Sequence, residues 1–586
     1  MQTLIFVSLH ALILLSSVLV FFGLGALLCW PDLKSKHLPN LFRFGLMSAT
    51  GLGVSICIFQ ILAIFGLLNL FSVSVLAVLG GAGGLAALKN WSFSEEIKSP
   101  LSPAEKAAYL ILIAVLLRTI LMPFRPATGW DEVMYHLPHA LQWAESGTLS
   151  VNSWLRFPWF PYNYNLLYAT ALLIWDDVLA HLFHALSGWL CALMIYQLGR
   201  QVASRVQAVI SAAIWLSLSN FYYGNAFIEL GLSLFVFTAF VAFWFWAGSP
   251  TERSRWLFIA AFLLGVAAGS KYLPLIYLPL FALGLLLTDR RYQTIFWSAI
   301  SFLIPCVYWY ARNLVATGDP FNPFGGPLFG FSDWNSGDHA GQFDYMRTHS
   351  GWPPWLLWPA LITLFMRSTW KDPNWRLISL FSVYSVATWY FTTGGYERFL
   401  TSAFPVLAIM STRGWACLAT MAGQKIRQFS PGSPLSPAHR GSLNRAAFVV
   451  FALALAGLAA DKLIRDWNEI KVSEVERNAY LREEISGYEV IERLSQIPHT
   501  GIYQFGLDDS IFYMPQPSWG DHFGPGRYRD MAALSSEEMA EKLNSMDIDI
   551  LVISHSQWPH IRTKIDFDHY FEEIVSSQGV SAYRLK

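Results

Sequence analysis

Charge is what this chain has least of. Only 14% of its 586 residues are Asp, Glu, Lys or Arg, against about 25% in an ordinary soluble domain. The 40 basic and 40 acidic side chains cancel to a formal net charge of zero, so the basic excess that a nucleic-acid partner requires is missing. Cysteine is also sparse. Cys29, Cys57, Cys191, Cys306 and Cys417 each sit in an apolar run without metal-ligand spacing, which argues against both a disulfide framework and a cysteine metal site. Neither a fixed-period repeat nor a pair of matching halves of the transporter kind is visible. What fills the chain instead is 54% hydrophobic residues, with 25 Trp, 24 Tyr and 43 Phe. Aromatic belts at a membrane surface and platforms for sugar rings both draw on such a supply. The expectation is a polytopic membrane protein.

The first apolar run, residues 4–30, has no basic start and exceeds the roughly 7–15-residue core of a secretion signal, so it is read as a transmembrane helix. Lys34, Lys36 and Arg43, then Lys89, Lys98 and Lys106, mark two inner loops by the positive-inside rule. Runs 46–70 and 73–88 lie between them, and run 107–124 then leads outward, with the N-terminus outside. Residues 165–175 fall short of the about 20 needed to cross and are read as an interfacial or re-entrant helix. The count continues through runs 178–198, 206–222, 229–246, 256–270, 273–288, 296–310, 354–366, 377–391, 399–421 and 446–464, and each inner loop comes out short and basic. A Ser/Pro/Gly stretch, 429–437, reads as a flexible inner linker.

The tail alternates helix-like stretches (472–494, 535–543) with strand-like ones (501–505, 510–514, 548–554, 580–585). The fold class is therefore read as an all-α polytopic membrane protein of about 14 transmembrane helices with a small C-terminal extracytoplasmic α/β domain. Residues 1–106 form the N-terminal helices, 107–465 a membrane core with an outer loop at 125–177, and 466–586 the outer domain.

Chemistry concentrates where spans meet the outer face. Gly129-Trp130-Asp131-Glu132 follows a span exit, and Tyr135, His136 and His139 follow it on a stretch whose Leu137, Leu141 and Trp143 could lie on the membrane surface. A carboxylate held there can take a proton from an incoming hydroxyl; a solvated acid pair at a helix start is the plainer alternative. The His136/His139 and His181/His184 spacings admit a metal pair, although interfacial filler is the commoner use of histidine. Arg156-Phe157-Pro158-Trp159-Phe160-Pro161-Tyr162-Asn163-Tyr164-Asn165 reads as a rigid loop that could cup a sugar ring or lipid head, or as part of an aromatic belt. Asp176-Asp177 reads as a helix N-cap. Glu229 stands at the mouth of a span, and Lys271, in Gly269-Ser270-Lys271-Tyr272, needs an anionic partner such as a phosphate. Arg312-Asn313 and Glu397-Arg398-Phe399 place two arginines, each a fork of donors suited to phosphate, at further outer boundaries. Three cations and three carboxylates are thus expected on one face.

Over residues 110–418 this set resembles the C-type superfamily of integral-membrane glycosyltransferases, in the branch of aminoarabinose transferases and protein mannosyltransferases. The carriers of the resemblance are the acid pair, the Pro-aromatic loop, Glu229, Gly-Ser-Lys-Tyr, and Trp309-Tyr310-Ala311-Arg312-Asn313 followed by Gly318-Asp319-Pro320-Phe321-Asn322-Pro323. Arg398-Phe399 ahead of a proline-containing span completes them. The resemblance implies a sugar donor on polyprenyl phosphate, an acceptor that is a glycan, lipid or protein, and transfer with inversion at the extracytoplasmic face of a bacterial inner or plasma membrane. It makes Asp131 the general base and Glu132 its assistant, and it assigns Lys271, Arg312 and Arg398 to the departing phosphate. Tyr135, His136, Arg156, Tyr162, Glu229, Tyr272 and Asn313 become substrate-binding candidates. Two positions depart from the pattern: Glu229 stands where many relatives have Asp, and Phe157-Pro158-Trp159-Phe160-Pro161 where many have Lys-Pro-Pro, which removes one expected phosphate ligand. A divalent cation, Mg or Mn, is left open as cofactor. The competing readings are a transporter or flippase for a lipid-linked glycan, an O-antigen polymerase or ligase type of enzyme, and a scaffold displaying the tail.

Overall fold

A computed structural model describes residues 1–33, 39–89, 91, 100–248, 254–429, 437–521, 523 and 527–586. The linker read at 429–437 falls almost wholly outside the described residues, as do Lys34, Lys36 and Lys98 of the loops read as inner.

The first three helices, Gln2–Leu33, Asn40–Ile64 and Leu70–Lys89, pack as one group. Glycine lets them approach: a Cβ on Gly51 would stand 1.7 Å from the Phe21 carbonyl oxygen, and one on Gly25 1.8 Å from that of Met47. In lipid, where apolar side chains gain nothing by leaving the solvent, such backbone proximity is a main source of helix association.

Every run read as a span carries helix, but the lengths differ from expectation. Among the described residues six helices are long and apolar enough to cross a membrane: Gln2–Cys29, Asn40–Ile64, Leu70–Lys89, Pro103–Phe124, Asp177–Val202 and Glu229–Ala247. A seventh results if Tyr292–Leu303 and Val307–Thr317, bent by 68°, count as one span; Pro305, which has no N–H to continue the ladder, lies in the break. Arg205–Leu218, Ser254–Ala268, Leu273–Thr288 and Trp355–Phe365 are shorter. The protein is a multi-pass membrane protein, and the count of about 14 is not reached by helices that could each cross alone. The short helix Asn165–Ile174 is present, and its first seven residues are buried. Leu137 and Trp143 do not face the membrane surface. They are buried, Trp143 against Tyr162 and Trp309 with ring centroids 5.8 and 6.0 Å away.

Beyond the last long helix, Pro437–Glu469, the tail forms a five-stranded sheet. In chain order its strands are β1 (Ile502–Phe505), β2 (Ser518–Trp519), β3 (Ile550–Ser554), β4 (Phe571–Ser577) and β5 (Val580–Leu585), and across the sheet they run β2-β1-β3-β5-β4. β1 pairs in parallel with β2 and β3, while β5 is antiparallel to β3 and β4. Alternate residues feed two cores. Tyr503, Phe505, Leu551 and Ile553 pack with Met539 and Leu543, while Ile502, Ile550 and Val552 pack with Val490, Ile491 and Leu494. Residues 510–514, expected as a strand, instead lie in the 3-10 turn Asp508–Tyr513. The apolar Phe512 and Tyr513 are turned toward the membrane core, and the Tyr513 hydroxyl donates to the Ala127 carbonyl at 2.7 Å, so the alternation there serves docking and not a sheet. The helix read over 472–494 is two, Glu474–Glu484 and Tyr488–Leu494, parted by Gly487 at φ +69°.

Candidate active site

The loop 125–177 is held in place before any substrate arrives. Its Glu132 is fully buried: Oε1 accepts from the backbone N–H of Thr128 and Gly129 at 2.8 and 2.6 Å. Oε2 takes the Ala226 N–H and lies 2.8 Å from His181 Nε2. This carboxylate therefore knots the loop to the helix Asp177–Val202 and to the segment just before the helix Glu229–Ala247, and does not reach the cluster formed by its neighbour. From Glu132 to His136 the chain makes a single π-helical turn, a departure often found at functional positions. It brings the Tyr135 hydroxyl back to donate to Asp131 Oδ2 at 3.0 Å.

Asp131 faces Arg398, whose Nη1 donates to the same Oδ2 while its Nε donates to Glu229 Oε1 at 2.6 Å. Lys271 approaches that Glu229 oxygen at 3.4 Å and lies 5.1 Å from the centre of the Phe399 ring. Two carboxylates and two cations thus meet in a site whose side chains are no more than 19% exposed. Three features leave it chemically unfinished. Arg398 Nη2 is buried and makes no hydrogen bond, and neither does His136 Nε2, whose other ring nitrogen is spent on Asn165 Oδ1 at 3.1 Å. Asp131 Oδ1 takes part in no hydrogen bond among the described residues, both of its carboxylate's partners being on Oδ2. Burial works to raise the Asp131 carboxyl, but the charges of Arg398, His136 and Lys271 outweigh it and hold the group below its ordinary range.

The other candidates fall elsewhere. Arg312 stays out of the carboxylate cluster: it lies over Trp159 and Trp309 at 5.3 and 4.9 Å and bonds Asn313 Oδ1 at 2.9 Å. Asn313 Nδ2 donates to the Trp159 carbonyl at 2.6 Å and to the Tyr272 hydroxyl at 2.9 Å, so Arg312, Asn313 and Tyr272 brace the Pro-aromatic loop. Tyr162 ties that loop to itself through the Phe157 carbonyl at 2.9 Å. Arg156 turns to the tail, donating from Nε to Asp521 at 2.8 and 3.0 Å while lying 4.9 Å from the Trp130 ring. His139 and His184 are consumed by backbone groups. Asp176 does cap its helix, accepting from Leu179 N at 3.1 Å, whereas Asp177 binds Arg477 of the tail at 2.7 and 2.9 Å. Among the described residues no three His, Cys, Asp or Glu side chains converge to share an ion.

Asn163 escaped sequence reasoning and is central to the scaffold. Its amide donates to Pro305 O at 2.7 Å and its carbonyl accepts from Trp309 Nε1 at 2.7 Å and Gln60 Nε2 at 3.1 Å. Gly269 makes room for it: a Cβ there would stand 2.1 Å from Asn163 Nδ2. Gly269→Ala is expected to destabilise the protein by about 1–3 kcal/mol, the usual range for overpacking, read as a lowered midpoint in thermal unfolding followed by tryptophan fluorescence.

Asp508 on the tail, near Arg156 and Asp521, was also missed. Burial raises its carboxyl to about 7, Arg156 opposing and Asp521 and Asp509 reinforcing, while Gln504 Nε2 (3.3 Å) and the Tyr528 hydroxyl donate to it. An acid whose folded value lies above its unfolded one favours folding while protonated. That stability is present below about pH 4 and is lost as pH rises through about 7. Asp508→Asn keeps the acceptor oxygen, so it should flatten the thermal midpoint between pH 4 and 7 and raise it at pH 8 by roughly 2–8 °C.

Comparison with known proteins adds three findings. Residues 162–309 match a family described as dolichyl-phosphate-mannose-protein mannosyltransferase, and residues 476–584 one described as SF2091/S2213. Two relatives from Shigella flexneri are similar in part. The uncharacterized protein SF2093/S2215 is 33% identical over 129 residues, 22% of this chain and 65% of its own; SF2092/S2214 is 28% identical over 130, 20% of this chain and 69% of its own. The chain thus spans about two thirds of each. In fold it is similar to ArnT from Cupriavidus metallidurans bound to undecaprenyl phosphate, with a TM-score of 0.52 and 15% identity over 81% of this chain and 97% of that one. The apo form of the same protein gives 0.50 and 14%.

Proposed function

We propose that this chain, with its ArnT-like fold and its mannosyltransferase-matched core, is a glycosyltransferase that moves a sugar from a polyprenyl-phosphate carrier to an acceptor hydroxyl. The acceptor is a glycan, lipid or protein at the extracytoplasmic face of a bacterial inner or plasma membrane. The observation that carries the reading is the unfinished cluster: a carboxylate oxygen with room for a proton, Asp131 Oδ1, lies beside an arginine with a spare buried N–H and a lysine with only a long contact.

In a single displacement the acceptor oxygen attacks the anomeric carbon as Asp131 Oδ1 takes its proton. The bond from that carbon to the carrier phosphate breaks, and the electron pair leaves with the phosphate oxygen. Arg398 Nη2 and Lys271 Nζ meet the charge that develops there, and preorganised donors at the leaving group are where an enzyme gains most. As they turn toward phosphate they release Asp131, whose proton affinity rises when it is needed. Glu229 holds both cations in register. Glu132 sets the loop and takes no proton. We assign residues 1–106 to anchoring, 107–465 to catalysis and 466–586 to covering the site. The test is reconstituted transfer from radiolabelled polyprenyl-phosphate sugars to a crude membrane acceptor fraction. Labelled product supports the reading, and labelled donor that is flipped across sealed vesicles but never transferred would replace it with a transporter.

A further inference from the structure

Arg398 follows directly on a hairpin, residues 350–396, that the proposed chemistry does not use. One arm descends through the 3-10 turn Trp355–Leu357 and the helix Ala360–Phe365, and the other returns as the 21-residue helix Pro373–Thr393. The arms are joined at the site's end: Ser350 bridges to Tyr396, and the Gly351 N–H donates to the Gly395 carbonyl at 3.0 Å. Gly394 and Gly395, at φ +63° and +80°, turn the chain there. The 3-10 turn Glu397–Ala403 comes next. It presents Arg398 to Glu229 at 2.6 Å and the Phe399 ring to Lys271 at 5.1 Å, so both cations of the site depend on where this hairpin ends.

Helix Pro373–Thr393 is about 30 Å long, enough for a hydrocarbon core, yet it is not one of the six helices that qualify by length and apolarity. Its serines lower the average, and they face inward. Ser382 and Ser385 are buried and donate to the carbonyls four residues back, at 2.9 and 2.7 Å. The large apolar side chains it exposes are Leu380, Val383, Tyr390 and Phe391. Polar inside and apolar outside is the arrangement for lipid, since water would favour the reverse. Phe381 lies 4.3 Å from Phe240, near the middle of Glu229–Ala247, which does qualify. The two helices run antiparallel, with Glu229 and Arg398 joined at the shared end. The 20 residues 377–396 contain no Asp, Glu, Lys or Arg, and residues 350–366 contain none either. At the far end Arg367, Lys371 and Arg376 are exposed; at the site's end stand Tyr390, Trp352 (83% exposed) and Phe391 (82%). Basic side chains at one boundary and aromatic rings at the other are how a bilayer orders a span.

We infer that the aromatic end of this hairpin is a docking surface for the headgroup and glycerol layer of a phospholipid leaflet, and that it sets the depth at which Arg398 and Phe399 are presented. Lipid is chosen over a protein partner because the exposed face does not stop at the rings. It continues through Val383 and Leu380 toward the arginine end, over about the length of one hydrocarbon core, and beside a helix that crosses in its own right. The surface stands without the glycosyltransferase reading. Its consequence for activity rests on that reading: a carrier phosphate, itself confined to the headgroup layer, then meets the Arg398 turn at one level.

The test of the surface needs no donor. Trp352→Cys, Phe391→Cys, Val383→Cys and Ser350→Cys, each in the full-length chain, are labelled with a nitrobenzoxadiazole fluorophore in phosphatidylcholine–phosphatidylglycerol vesicles. Wild type labelled in parallel gives the background of the natural cysteines. At positions 352 and 391, quenching by a spin label on the headgroup or on acyl carbon 5 should exceed that by one on carbon 12 at least twofold. At 383 the order should reverse, and at 350, beside Tyr396, headgroup quenching alone is expected. No quenching at 352 and 391, or cross-linking of two chains through their 391 cysteines in its place, overturns the surface. If the wild type transfers sugar, the double variant Trp352→Ser, Phe391→Ser should raise the KM for a long-chain polyprenyl-phosphate sugar at least fivefold, with kcat within twofold. Trp352→Tyr with Phe391→Trp, which keeps interfacial rings, should leave it unchanged. Quenching without transfer would retire the enzyme and keep the surface; transfer with unchanged KM in the serine variant would overturn the control of depth.

Discussion

Arg398→Gln is expected to abolish transfer and to unfold at a clearly lower temperature than wild type, whereas Arg398→Lys should recover much of the stability and little of the activity. Arg398 joins Asp131 to Glu229, one carboxylate by Nη1 and the other by Nε. Glutamine leaves both acids inside the protein with only Lys271 nearby. Removing one partner of a buried pair costs about 3–5 kcal/mol because the remaining charge is uncompensated. Lysine restores the charge but not the fork; it cannot bind both carboxylates and still present a donor to phosphate. Thermal unfolding and single-turnover transfer on the same preparations decide the matter. A glutamine variant that unfolds with the wild type and still transfers would remove Arg398 from the site.

Asp131→Asn should separate chemistry from stability. Its amide oxygen can accept from Arg398 and Tyr135 as the carboxylate oxygen does, which keeps both hydrogen bonds; Glu229 alone then faces Arg398 and Lys271, so the midpoint should fall, but by less than in Arg398→Gln, where the hydrogen bonds go as well. Transfer should fall by roughly 10²–10⁴, the contribution of a positioned general base. The neighbouring cations hold the wild-type carboxyl below its ordinary range. The base is therefore already ionised at mildly acidic pH in the free protein, and the wild-type kcat/KM should not decline on acidification until below about pH 4. A variant with full activity would end the catalytic role of Asp131.

How far the sequence leads depends on the range of the interaction. Period and composition carried the helices, because an apolar run has to be helical in lipid whatever it touches. They also carried β1, β3 and β5, whose residues alternate between two cores. Residues 510–514 misled for a physical reason: their alternation matches a docking face against the membrane core as well as a strand. In the candidate site, the sequence singled out Asp131, Glu229, Lys271 and Arg398, which the fold brings together, since an ionisable group at a lipid boundary needs an explanation. Their neighbours were not. Glu132 looks like the twin of Asp131 until folding delivers His181 and Ala226 N–H to it. Arg312 looks like Arg398 until Trp159 and Trp309 are found against it. Asn163 and Asp508 gave no sign, because their meaning lies in partners far away in the chain.

The clamp between Arg156 and Asp521 joins residues 365 positions apart, and this has a consequence for how the protein is made. At about 5–20 residues per second, the loop that carries Asp131 leaves the ribosome on the order of 20–70 s before the segment that pins it. During that interval Arg156 has no Asp521, Asp177 has no Arg477, and Ala127 lacks the Tyr513 hydroxyl. The loop that carries Asp131 is thus pinned by residues made long after it. Nascent protein should acquire protease resistance in loop 125–177 only once residues 477–521 have emerged, and a stop codon placed before residue 470 should yield a membrane-inserted chain whose loop is cut.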